Sequence, residues 1–219
     1  MENHTSAKFS KSVWLGLALV VATLGLIFVL ARIESTGKRV APLPVLAQLA
    51  EFTLTNQAGQ VVTLAGLRGK VWVADIIFTR CAGPCPQMTR RMKALQDALP
   101  AGSHARLVTL TTDPDFDTPL VLRAYGERFG ADFTRWTFLT GAKPEIARLA
   151  IDGLKLTTVE KKPEERADPN DLFIHSTIFV LVDKQARLRG VFETIGEDAV
   201  FAQIKPRLLA AVAQLEREP

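Results

Sequence analysis

Residues 70–88 read KVWVADIIFTRCAGPCPQM, and their order predicts a strand, a cysteine pair and the start of a helix. KVWVADIIF (70–78) is β-branched and apolar almost throughout, the pattern of a central strand covered on both faces. Pro86 then opens a predicted helix, PQMTRRMKALQDAL (86–99), where a first-turn proline costs nothing because its missing N–H has no helical partner. Cys81 and Cys85 fall between the two, at the carboxyl end of a buried strand, where open α/β sheets bind ligands. They stand one step further apart than a Cys-x-x-Cys dithiol. At i and i+4 on a helical turn their side chains project to the same side, roughly 5–6 Å apart at Cβ. That spacing suits joint coordination of one ion and still permits a disulfide.

Outward from this unit the chain alternates strand and helix signals. FTLTNQAGQVVTL (52–64) reads as a hairpin around a glycine-containing turn. ARLVTLTT (105–112) is a strand, and TPLVLRAYGERFG (118–130) is a helix entered at Thr118 and Pro119 and stopped at Gly130. WTFLT (136–140) and KPEIARLAI (143–151) repeat the pattern. STIFVLVD (176–183) and RLRGVFE (187–193) form a second hairpin, and GEDAVFAQIKPRLLAAVAQLE (196–216) is an amphipathic helix expected to be interrupted at Pro206. The sum is an α/β fold with a mixed sheet flanked by helices. Residues 153–174, containing EKKPEERADPND, are polar and expected to be irregular, a length associated with functional loops.

Residues 12–31, SVWLGLALVVATLGLIFVLA, carry no charge. As a helix they cover about 30 Å, the thickness of a bilayer's hydrocarbon core. The run exceeds a signal-peptide apolar region, so a retained transmembrane anchor is preferred over a cleaved leader. The organisation expected is a tail over 1–11, an anchor over 12–31, a tether over 32–50 and one domain over 51–219. Either reading of the apolar run puts that domain outside the cytoplasm, in a bacterial periplasm or its equivalent. With 27 basic and 23 acidic residues scattered along 219, the chain lacks the clustered basic surface of a nucleic-acid binder, so no nucleic-acid partner is expected.

The chemistry follows from the thiols. A helix N-terminus favours negative charge, so one or both cysteines should ionise readily, helped by Arg80, Arg90 and Arg91 if these point inward. Two cysteines so close make a poor structural disulfide, because bridging a short loop removes little unfolded-state entropy. Of the three histidines, His4 lies in the tail and His104 in the turn PAGSHAR. His175 closes the long polar loop and directly precedes a strand expected in the same sheet as the cysteine strand. Two thiolates and an imidazole form a soft set suited to Cu(I) and, with a weak further ligand, to Cu(II). Zinc is the alternative metal, although structural zinc sites usually take four protein ligands. Met88 and Met92, four apart on the helix, read as core packing. Asp113, Asp115 and Asp117 imitate a calcium loop, but Thr118 and Ala124 replace its glycine and its glutamate. Asp117 is expected to help start the next helix.

GKVWVADIIFTRCAGPCPQM, TTDPDFDTPLVLRAYGERFG, WTFLTG and HSTIFVLVD, in this order over residues 51–195, resemble the SCO/SenC family of membrane-anchored, thioredoxin-like copper chaperones. The resemblance implies a thioredoxin-like fold and a role in assembling the copper site of cytochrome c oxidase, whose copper-site subunit would be the partner. It implies Cys81, Cys85 and His175 as copper ligands, the two cysteines cycling between dithiol and disulfide, and the loop before His175 presenting the imidazole. Ala186 stands where relatives tend to have glycine, which implies a different turn geometry. The alternative function is a thiol-disulfide oxidoreductase that reduces partner cysteines outside the cytoplasm, for which His175 would be dispensable.

Overall fold

The computed structural model describes residues 11–37, 41–167, 169–194 and 197–219, and the chain divides after Pro42 into two units. The first holds helix α1 (Lys11–Gly37). Its described side chains, 14–29, are all exposed. Among the described residues no helix is long and apolar enough to cross a membrane; the run expected to do so, 12–31, extends past the described side chains at both ends. Residues 1–10 of the expected tail, His4 among them, lie outside the described residues.

The second unit contains, in chain order, β1 (Ala47–Gln48), β2 (Thr53–Asn56), β3 (Val61–Thr63), α2 (Leu64–Leu67), β4 (Trp72–Ile77), α3 (Cys85–Ala98), β5 (Arg106–Thr111), α4 (Pro119–Arg128), β6 (Trp136–Thr140), α5 (Lys143–Ala147), β7 (Thr158–Glu160), β8 (Phe173–His175), β9 (Ile178–Val182), β10 (Arg187–Glu193) and α6 (Asp198–Arg217). Eight strands form one mixed sheet in the order β1-β10-β9-β4-β5-β6-β2-β3. At its centre β4 runs parallel to β5 and antiparallel to β9, so that Ala74 faces Val108 on one side and Val180 on the other. All six β4 residues are buried, as the unalternating sequence requires. Val73 and Ile77 join Met88, Met92, Leu95, Leu208 and Val212 on one face of the sheet; Trp72, Ala74 and Ile76 join Leu64, Ile146 and Leu149 on the other. Each large side chain so buried contributes about 1.5–3 kcal/mol, enough for two helical layers to hold β4 and its carboxyl end in place.

Four sequence expectations are corrected. The polar stretch 153–174 is not irregular throughout: β7 and β8 pair antiparallel, Val159 opposite Ile174, because β-branched and aromatic residues at both ends supply a ladder. The stretch read as a tether contributes β1 to the sheet, paired with β10, and Leu49 packs into the core. Helix α6 continues through Pro206; Ala202, whose carbonyl loses its partner there, is exposed, so water can take the place of the missing N–H. Ala186 adopts the left-handed conformation, φ 59°, so its turn keeps the backbone shape that glycine favours. The Asp183 carboxylate accepts from the amides of Gln185 and Arg187 and holds that turn.

Candidate metal centre

The buried β4 ends at the loop 78–84, and α3 begins at Cys85. No side chain caps α3, whose N-cap is Pro84, and Pro84 and Pro86 offer no amide. The amides of Gly83 and Cys85 are left to the Cys81 sulfur, and both favour its charged form. From the other side, β8 delivers His175. Its Nε2 lies 3.1 Å from the Cys85 sulfur, across ninety residues of sequence. The two sulfurs and one imidazole nitrogen all lie within 4.8 Å of one another. Both cysteines are free thiols, Cys85 fully buried and Cys81 half-buried.

The three groups are electrostatically unequal. The hydrogen bond from the Cys85 thiol does most to hold Cys81 down at about 4, assisted by His175 and the two backbone amides against a burial that works the other way. Burial pushes Cys85 far above the ordinary thiol range, and the neighbouring Cys81 charge pushes it further. One thiolate and one thiol therefore face the imidazole near neutral pH. Of the three arginines expected to help, Arg80 pairs with Asp113 at 2.5 Å, Arg91 pairs with Asp198 at 3.0 Å, and Arg90 is exposed. His175 Nδ1 lies 3.1 Å from the carbonyl of Ser176. A carbonyl only accepts, so Nδ1 donates to it and Nε2 is the ring nitrogen turned toward the sulfurs, the usual outer-shell orientation of a metal-binding imidazole. The ring also packs edge-on against Phe78, centroids 5.8 Å apart.

A cleft of about 300 Å3 opens over this group, walled by Ala82, Gly83 and Pro84 on one side and by Phe173 and Ile174 on the other. Two sulfur donors and one imidazole in a half-open setting are a soft, three-donor set. Such a set fits Cu(I), and the open side leaves room for a further weak ligand.

Three parts of the site were not read from sequence. Asp117, fully buried, accepts from Thr79 N at 3.1 Å, from the Thr79 hydroxyl and from Thr111 Oγ1 at 2.5 Å. It therefore fixes the residues before Cys81, while Thr118 alone caps α4, against the expectation for Asp117. Asp113 binds Arg80, whose guanidinium also covers the Phe116 ring at 4.2 Å. Two of the three aspartates that imitate a calcium loop, Asp113 and Asp117, are thus tethers for the cysteine segment. Asp75, fully buried on β4, accepts from Thr109 Oγ1 at 2.7 Å, and burial raises it to about 7 despite that bond and the attraction of His175. A lone carboxylate inside an apolar strand was the available signal. Met88 and Met92 are buried in the core and His104 is exposed, as expected.

The SCO1/SenC family model matches residues 44–209. The chain belongs to the SCO1/SenC family. Among SCO1/SenC relatives, the SCO1 protein homolog of Bacillus subtilis is 35% identical over 184 residues, covering 81% of this chain and 91% of the relative. The crystal structure of a SCO1/SenC family lipoprotein from Bacillus anthracis superposes with a TM-score of 0.67 at 28% identity, over 80% of this chain and 99% of that one. BsSco, a member of the Sco family of cytochrome c oxidase assembly proteins in which a disulfide switch has been identified, superposes with a TM-score of 0.62 at 29% identity, again over 80% and 99%. The SCO1/SenC fold is thus the thioredoxin-like α/β arrangement described above.

Proposed function

We propose that this protein is a copper chaperone that binds one copper ion through Cys81, Cys85 and His175 and passes it to the copper site of cytochrome c oxidase. The single observation behind this reading is the convergence of two sulfurs and one nitrogen, a soft donor set, within 4.8 Å. The half-buried Cys81 thiolate is the first donor an incoming ion meets. Cys85 gives up its proton as the ion binds, and His175 supplies the neutral nitrogen. The assembly role is supported by BsSco, described as belonging to a family of cytochrome c oxidase assembly proteins. Residues 12–31 serve as a membrane anchor that keeps the domain outside the cytoplasm; a twenty-residue uncharged run and a lipoprotein relative support this. The domain spans 43–219.

The test is complementation. A strain lacking this gene and deficient in cytochrome c oxidase activity should recover it with the wild-type chain, and should fail to do so with Cys81→Ser, Cys85→Ser or His175→Ala. Full recovery by His175→Ala would end the copper reading.

One observation favours a second activity of the same atoms. An ionised, accessible Cys81 beside a protonated, buried Cys85 is the attacking and resolving pair of thiol-disulfide exchange, and a disulfide switch is described for BsSco. On that reading the pair reduces a disulfide in the recipient and becomes a disulfide itself. His175→Ala retains this activity while losing copper.

A further inference from the structure

A second groove lies beside the metal centre, between α3 and α6. It encloses about 400 Å3, within the size range of ligand clefts. Its lining is apolar at Ala94, Phe201 and Ala202 and cationic at Arg90 and Lys205. Arg91, 4% exposed, is also part of the lining. Its guanidinium donates to the Thr194 carbonyl, pairs with Asp198 at 3.0 Å and lies 5.1 Å from the centre of the Phe201 ring. That pairing engages the one acidic side chain in the lining, whose carboxylate stays exposed to solvent. Arg90 and Lys205 remain, and among the described residues neither pairs with a carboxylate. Two cations lining one concave space from facing helices raise its local potential, which favours an acidic occupant.

The groove is continuous with the segments that carry the metal ligands. Gln87, on its lip, stands two residues after Cys85. Thr194, the acceptor of Arg91, donates from its amide and its hydroxyl to the carbonyl of Thr177, two residues after His175. We propose that the α3–α6 groove docks an acidic, partly apolar segment of the protein that receives copper, with carboxylates on Arg90 and Lys205 and an apolar side chain against Phe201. This inference rests on the copper-delivery reading for the recipient's role, but the docking chemistry stands on the groove itself. A recipient held there lies next to both ligand-bearing segments, and the effective concentration of its own metal-binding groups at the Cys81 opening rises without any change in the ligands.

The test uses the full-length reduced protein in detergent and the peptide acetyl-Glu-Glu-Leu-Glu-Glu-amide, with its all-glutamine counterpart as control, by titration calorimetry at two salt concentrations. Binding of the acidic peptide, weakened by salt and at least tenfold by combining Arg90→Glu with Lys205→Glu, is expected, with no binding of the glutamine peptide. Arg90 is exposed and Lys205 half-buried, and a milder Lys205→Gln should lose a smaller part of the affinity. Equal binding of the two peptides, or an unchanged affinity in the double variant, overturns the proposal. So does charge-dependent capture of anionic phosphatidylglycerol vesicles without peptide binding, which assigns the groove to a lipid surface. Copper stoichiometry in the double variant should match wild type. A wild-type protein that binds peptide but no copper refutes the delivery reading and leaves the groove standing.

Discussion

The Cys85 sulfur and the His175 Nε2 meet at 3.1 Å although one starts a helix and the other ends a short ribbon strand. Neither element fixes this distance alone. The helix is placed by its packing on the sheet, whereas β8, among the described residues, pairs only with β7 and reaches the site through Phe173, which packs edge-on against Phe78 with centroids 5.2 Å apart. Moving the imidazole away from the sulfurs would therefore mean unpacking Leu172 and Phe173, both buried in the core.

The inequality of the thiols gives a direct optical prediction. Thiolate absorbance of the reduced protein should show one transition with a midpoint near 4, the value to which Cys81 is lowered, and the second thiol should stay protonated through pH 9. Cys85→Ala removes the donor that contributes most, so the Cys81 midpoint should rise by more than in His175→Ala. Iodoacetamide at pH 6 should label Cys81 and spare Cys85. Two overlapping transitions near pH 8–9 would show that the thiols do not share a hydrogen bond.

Copper binding should release protons in proportion to what remains bound. With Cys81 already ionised and Cys85 a thiol, about one proton should leave per copper between pH 6 and 8, because coordination demands both sulfurs as thiolates. A pH-stat titration with Cu(I) measures it. Release of two protons would contradict the ionised state of Cys81.

Asp75 makes stability depend on pH with a definite sign. Its ordinary value of 3.8 is raised to about 7 in the folded protein, so the folded state holds this proton more tightly than the unfolded one. Below about pH 4 both states are protonated and burial of the carboxyl costs no ionisation energy. Between about 4 and 7 the unfolded chain ionises first and stability falls; above 7 the penalty is complete, with a ceiling of about 4 kcal/mol at 1.4 kcal/mol per unit. Asp75→Asn lacks this term. Its melting temperature relative to wild type should climb from pH 4 to pH 7.5 and then level off, and a flat difference would refute the assignment.

Asp117 ties the β5–α4 loop to Thr79, two residues before Cys81. Asp117→Ala leaves the Thr79 amide and the Thr111 hydroxyl without an acceptor in a buried place, and should cost about 2–4 kcal/mol in urea unfolding. The same variant should bind copper more weakly while its core spectroscopy stays native. Unaltered copper affinity would show that the stem before Cys81 holds its shape without this carboxylate.

The central βα unit was legible in the sequence because burial on both faces leaves an unmistakable run, KVWVADIIF, and because proline marks where a helix can start. The three donors were legible for a simpler reason: two cysteines and one well-placed histidine left few combinations. What sequence could not give was the β7–β8 ribbon, since three-residue strands separated by charged residues produce no period long enough to recognise. The tethering aspartates were equally hidden. Asp117 looks like a helix starter beside Thr118 and Pro119, and only the folded chain brings Thr79 to it. Pro206 misled in the opposite direction, because a proline on an exposed helix face removes one hydrogen bond that water replaces.

The central claim is that one copper ion is held by both sulfurs and by His175 together. X-ray absorption at the copper edge, on reduced protein loaded with one equivalent of Cu(I), tests it most directly. Two sulfur scatterers and one imidazole are predicted in the wild type, with the imidazole signature absent from His175→Ala. Copper bound by sulfur alone in the wild type, or an unchanged spectrum in His175→Ala, would contradict the account.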